Sequence, residues 1–333
     1  MTSRIRHTLA LSAAGLATLA AAFAVPQLGA RVLPAVGALG DASRPWLGVA
    51  ALGFLAAFVC TVGAWHTVLT SAGARICPRQ AAARLGIGAM VNSFAPAKIG
   101  DAVKIALCSR AIDAPGRLWT AGGAYAALTA TRALTLSALV VVASLTGAMP
   151  LWPVFVLVGG ATAVGVAAAL SIRFRSHPHV AQLLDGVAAL ARSPRTFATV
   201  VAWTVGMQLA RVAGTIGAAV ALGLPHPVLA ALVILPALDV AGAIPLTPGS
   251  IGIGSGAVAV VLASRGIGIT QAIAVGFAIQ TVETLVSVCC GATGLAYLLR
   301  PSARVRLIAG RIAVVGASAA LGAVVGVEVV GLF

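Results

Sequence analysis

Long apolar runs alternate with short basic segments along the 333 residues of this chain. A transmembrane helix needs about 20 predominantly apolar residues. Runs of that order cover 8–30, 46–73, 118–148, 153–171, 196–222, 270–299 and 307–330. We therefore predict an all-α polytopic membrane protein with about seven transmembrane helices. Arg4, Arg6 and His7 in front of the first run also fit a signal peptide, but the length of its apolar part favours a retained helix.

Two further apolar stretches, 85–107 and 228–264, are interrupted by proline and glycine. Both contain Pro-x-x-Ile-Gly, starting at Pro96 in the first stretch and at Pro248 in the second. Each stretch follows two predicted spans and precedes one. We therefore predict two re-entrant broken-helix loops in an inverted repeat, an arrangement found in transporters. The first repeat covers 1–148, the second covers 153–299, and 300–333 forms an additional C-terminal transmembrane helix.

The charge pattern predicts the orientation. Sixty per cent of the residues are hydrophobic and 9% are charged, whereas about a quarter are charged in soluble domains. The net charge is +15, and most cations lie in short loops, where they mark the cytoplasmic side. If the N-terminus is cytoplasmic, Arg31, Arg44 and Arg265 are the only loop cations on the outer side of the membrane. The same placement predicts cytoplasmic loops at 174–194 and 301–306 and an external C-terminus. No nucleic-acid motif accompanies the charge, so nucleic acid is not expected as a partner.

Motifs for catalysis are absent from the sequence. It has no Gly-x-Ser-x-Gly, no closely spaced carboxylates, no P-loop and no His/Cys set with metal spacing, and its five cysteines include no CxxC pair. We therefore predict no enzyme activity, no catalytic residue, no metal and no cofactor.

The first broken stretch carries three charged residues, Lys98, Asp101 and Lys104. Intramembrane charges cost roughly 2.5–3.5 kcal/mol each even on insertion scales, so they are functional candidates. We interpret the two lysines as phosphate ligands, with Asp101 orienting one of them. Backbone amides freed at the proline and glycine positions of both loops would add to an anion site. The alternative is a local salt bridge beside packed turns, without a ligand.

Charged residues also lie in the later spans. Arg132 and Glu283 follow the two loops at near-equivalent distances, so we predict that they pair across a pseudo-twofold axis. Arg211 and Asp239 are interpreted as a structural ion pair.

The two loops resemble motifs of a known family. The first motif, Asn followed by Pro-x-[Arg/Lys]-x-Gly-[Asp/Glu] and a basic residue, matches at Asn92, Pro96, Lys98, Gly100, Asp101 and Lys104. The second, Pro-x-[Ser/Thr]-Pro-Gly-Gly-x-Gly, matches at Pro245, Thr247, Pro248, Gly249 and Gly252, with Ser250 in place of the second glycine. The chain thus resembles the lysylphosphatidylglycerol synthase transmembrane-region family, which includes the flippase domain of the multiple peptide resistance factor. Ser255 stands where the family usually has a glutamate, and Glu283 stands where it has an arginine.

This resemblance implies a stand-alone lipid translocase of the bacterial cytoplasmic (inner) membrane, without a synthase domain. Its substrate would be a phospholipid or another lipid with an anionic, phosphate-containing headgroup. Two alternatives are a flippase for a polyprenyl phosphate, with or without a sugar, and a non-transporting subunit that anchors a lipid-modifying transferase. A lipid-modifying enzyme or a second copy of the chain is a possible partner. The predicted substrate-binding residues are Asn92, Pro96, Lys98, Gly100, Asp101, Lys104, Arg132, Thr247, Pro248, Gly249, Ser250, Gly252, Ser255 and Glu283.

Overall fold

The computed structural model describes residues 42–95, 99–113, 116–147, 149, 154–155, 159, 193–243 and 251–299. These residues form eight helices: α1 (Arg44–Ser71), α2 (Pro78–Phe94), α3 (Ile99–Ser109), α4 (Arg117–Leu145), α5 (Pro194–Ala221), α6 (Pro227–Ala243), α7 (Ile251–Ala263) and α8 (Ile269–Leu298). No strand occurs among them, which agrees with the all-α prediction. The predicted spans 8–30 and 307–330 and most of 153–171 lie outside the described residues, as do the loop 301–306 and nearly all of 174–194.

Three of these helices, α1, α4 and α8, are long and apolar enough to cross a membrane. They correspond to the predicted runs 46–73, 118–148 and 270–299. Helix α5 has 28 residues, like α1, but Gln208 and Arg211 interrupt its apolar sequence. A membrane span at 196–222 therefore stays a prediction.

Each broken stretch forms two helices with an interruption at its proline and glycine residues. Helices α2 and α3 replace the single stretch 85–107, and α6 and α7 replace 228–264. Helix α2 begins earlier than the predicted stretch because Pro78 stands in its first turn, where a missing N–H costs nothing. The chain reverses between α2 and α3, since Gly88 of α2 packs against both Gly100 and Lys104 of α3.

The α2–α3 hairpin has both of its outer ends on the same side of the helix bundle. The backbone N–H of Arg75, before α2, donates to the carbonyl of Ala111, after α3, at 3.1 Å. The α6–α7 hairpin is arranged similarly. The side chain of Gln271, at the start of α8, donates to the carbonyl of Leu222, at the end of α5, at 2.9 Å.

Helices α1 and α5 pack antiparallel along their length. The N–H of Ser43, before α1, donates to the carbonyl of Ala221, at the end of α5, at 3.0 Å. Further along, Gly53 lies against Gly214, and Gly63 lies against Trp203. Small residues allow this close approach of two backbones. The antiparallel packing puts the outer ends of the two hairpins at opposite ends of the bundle.

The other helix contacts occur in matching pairs. Helix α2 packs on α8 and α6 packs on α4, while α3 packs on α4 and α7 packs on α8. Two hydrophobic clusters follow this division. One joins α1 and α5 to α2, α3 and α4, and the other joins α1 and α5 to α6, α7 and α8.

Candidate functional site: a charged cavity between the two hairpins

A cavity of about 600 Å³ lies between the two halves of the bundle. This volume falls in the range of small-molecule sites, roughly 300–1,000 Å³. Helices α1 to α6 and α8 contribute to its wall. The charged side chains of the described wall are three cations and three carboxylates: Asp101, Lys104, Arg132, Arg211, Asp239 and Glu283.

One group of polar side chains converges on Asp101, in the first turn of α3, where the helix dipole favours a carboxylate. Its Oδ1 accepts hydrogen bonds from Asn92 Nδ2 and Lys104 Nζ, both at 2.8 Å. Its Oδ2 accepts one from the hydroxyl of Tyr125 at 2.9 Å. These four residues, called the Asp101 site below, join α2, α3 and α4. Lys104 follows Asp101 by three residues, so both lie on the same face of α3.

A second group converges on Asp239 of α6. Its Oδ1 accepts a hydrogen bond from Arg132 Nη2 of α4, and its Oδ2 accepts one from Arg211 Nη1 of α5, both at 2.8 Å. Arg211 also donates to Gln208 at 3.3 Å. The side chain of Arg211 is 8% exposed, whereas that of Arg132 is 46% exposed. Arg132, Arg211 and Asp239, called the Asp239 site below, combine a buried arginine with one that projects into the cavity.

The predicted pairing of Arg132 with Glu283 is wrong. Arg132 pairs with Asp239, because α6 packs directly on α4 and brings that carboxylate alongside. Glu283 belongs to the α8 wall of the same cavity, which Arg211 also lines. Within the described residues it has no cation within 4.0 Å of its carboxylate. The predicted ion pair between Arg211 and Asp239 is confirmed.

The fourteen predicted site residues divide into four groups. Asn92, Asp101, Lys104, Arg132 and Glu283 all line the cavity. Gly100 lies between the two hairpin helices, where a Cβ would meet the carbonyl of Gly88 and the side chain of Asn92. Gly252 and Ser255 both belong to α7, with Gly252 in its first turn. Ser255 is buried against Gly276 of α8 and does not line the cavity. The residues outside the described part of the chain are Pro96, Lys98, Thr247, Pro248, Gly249 and Ser250.

The cavity also has an aromatic wall, which was not predicted from the sequence. Trp65 and Tyr125 form a tilted ring pair with centroids 5.9 Å apart, and Trp203 lines the cavity as well. A signal for Tyr125 does exist, since Tyr125, Thr129 and Arg132 form a polar stripe at i, i+4 and i+7 on an otherwise apolar helix. No comparable pattern marks the two tryptophans, whose place depends on the packing of α1 on α5.

No group of three or more metal-ligating side chains occurs among the described residues. The described fold and the cavity together define a helical membrane protein with an ionic cavity between its helices. Residues 8–282 match the family described as lysylphosphatidylglycerol synthase TM region, and the chain belongs to that family. The resemblance at the two loops is thereby confirmed, and membership indicates a membrane function related to lipids. Neither a curated protein nor a solved structure matched the chain.

Proposed function

We propose that this protein is a lipid translocase that binds a phosphate-containing headgroup in the cavity between the two hairpins. The carrying observation is Arg132, whose side chain is 46% exposed and borders the cavity. A guanidinium has five N–H donors in a planar fork that matches phosphate geometry. One of these donors binds Asp239, which leaves others for a ligand.

The cavity suits intermittent occupancy by such a headgroup. In its described wall, three carboxylates balance three cations, so no large net charge has to be buried when the cavity is empty. A phosphate that enters replaces water around a cation with charge-assisted hydrogen bonds, which are the strong class of hydrogen bond. The acyl chains of the lipid would remain among the apolar helix surfaces.

We infer that the two halves form an inverted repeat in the inner membrane with a cytoplasmic N-terminus. Support comes from the antiparallel α1–α5 pair, the matching helix contacts and the hairpins that open at opposite ends. Such an arrangement gives a central site two routes of access, as alternating access requires. Because the sequence has no P-loop, transport would follow a lipid gradient or be coupled to an ion gradient.

The first test identifies the lipid that co-purifies with the protein in mild detergent by mass spectrometry. The expected result is a phosphate-containing lipid whose retained amount falls in Arg132→Gln, since losing a hydrogen bond to a charged group, about 1.5–3 kcal/mol, weakens binding at that arginine about tenfold or more. Arg79→Gln is the matched control, because Arg79 is an exposed cation at the start of α2, outside the cavity. Lys104→Gln and Lys98→Gln extend the test to the first loop.

A second assay measures transbilayer movement of a fluorescent phospholipid in liposomes. Phospholipid movement above protein-free liposomes supports the proposal. Movement of a polyprenyl phosphate alone would assign the polyprenyl alternative. If neither lipid moves and a lipid-modifying transferase co-purifies, the protein is a membrane anchor and the translocase proposal fails.

A further inference from the structure

Among the described residues, the cavity wall contains two separate ionic sites rather than one. Helix α4 contributes one residue to each site. Tyr125 belongs to the Asp101 site, and Arg132, seven residues further along, belongs to the Asp239 site. Seven residues are about two turns, so these positions lie on one face of α4 and about 10 Å apart along its axis. The Asp101 site belongs to the α2–α3 hairpin and the Asp239 site to the α6–α7 hairpin. This separation places the two sites at different heights along α4.

Each site contains one cation that can leave its carboxylate without leaving that carboxylate unpaired. At the Asp101 site, Asn92 and Tyr125 would still donate to Asp101 if Lys104 turned away. At the Asp239 site, the buried Arg211 would still hold Asp239 if Arg132 turned away. Losing every donor would expose the full desolvation cost of a buried carboxylate. The extra donors avoid that cost and leave Lys104 and Arg132 available to a ligand.

We propose that Lys104 and Arg132 are two successive phosphate-binding positions for the lipid headgroup, one reached from each side. The proposal rests on the translocase function and specifies how its site is divided. An arriving phosphate binds Lys104 in place of Asp101, or Arg132 in place of Asp239. It then passes along the α4 face to the other cation. Thr129 lies between the two positions on this face and lines the same cavity. The carboxylates are the counter-ions of the empty state.

Native mass spectrometry of the full chain tests this division by counting bound lipids. The probes are phosphatidylglycerol and undecaprenyl phosphate, added separately to the detergent-purified protein, so that the two possible sources of the phosphate are distinguished. For the probe that binds, we expect up to two lipids on the wild type, one on Lys104→Gln, one on Arg132→Gln and none on the double variant. Arg79→Gln should match the wild type, which separates specific lipids from those retained at the surface.

The outcomes separate this proposal from the translocase function. If the wild type binds one lipid and either single variant loses it, the two cations form a single shared site. That result would overturn the two-position proposal but not the translocase function. Two lipids on both single variants would also overturn it. If neither probe binds to the wild type more than to the double variant, both proposals are overturned. Because each carboxylate keeps other donors, both variants should fold, and an unchanged thermal midpoint verifies this.

Discussion

Changing Asp239 to asparagine is expected to destabilise the protein far more than changing Arg132 to glutamine. Asp239→Asn removes the only carboxylate that pairs with Arg211 within the described residues, and the side chain of Arg211 is 8% exposed. Removing one partner of a buried ion pair costs about 3–5 kcal/mol, because the other charge stays buried without compensation.

Arg132→Gln has a different consequence, although it breaks a contact to the same carboxylate. Asp239 keeps its bond to Arg211 at 2.8 Å, and Arg132 itself is about half exposed. An ion pair with an exposed partner contributes about 0–1 kcal/mol. The expected difference between the two variants is therefore about 2–5 kcal/mol.

The assay is thermal unfolding in detergent, followed by tryptophan fluorescence at one fixed scan rate because such unfolding is often irreversible. The double variant Asp239→Asn with Arg211→Gln completes the cycle. It removes both charges, so it should be less destabilised than the sum of the single changes. Equal losses for Asp239→Asn and Arg132→Gln would refute the assignment of Arg211 as the buried partner, and so would additivity in the double variant.

Other predictions concern packing and topology. Gly53→Ala places a Cβ 2.5 Å from the backbone N of Gly214, so α1 and α5 must separate and both folded yield and thermal midpoint should fall. Gly48→Ala is its control in the same helix, where nothing lies within 4 Å of the new Cβ; equal behaviour of the two variants would contradict the close crossing. In the topology test, one variant keeps Cys77, just before α2, as its sole cysteine, and another has Ser264→Cys, just after α7, as its sole cysteine. The two variants should react with an impermeant maleimide from opposite sides of the membrane. Labelling of both from one side would contradict the inverted arrangement.

The sequence by itself determined the membrane class and the positions of the helix breaks. Apolar runs of bilayer length form helices in lipid because every backbone polar group must be paired. Proline and glycine interrupt a helix through properties of their own backbone, so the breaks within 85–107 and 228–264 could be read locally. The grouping of Asn92, Asp101 and Lys104 could also be predicted from the sequence, because a hairpin brings together residues that are close in sequence.

The tertiary structure decided which charges meet. Arg132 and Glu283 have similar places in their own halves, but a similar place does not make them neighbours. The partner of Arg132 is Asp239, 107 residues away, because α6 packs on α4. Ser255 faces α8 for the same reason, since the packing of α7 fixes which of its faces is buried. Contacts between distant helices depend on how side chains and glycines fit across the interface, and the order of residues along one chain does not specify that fit.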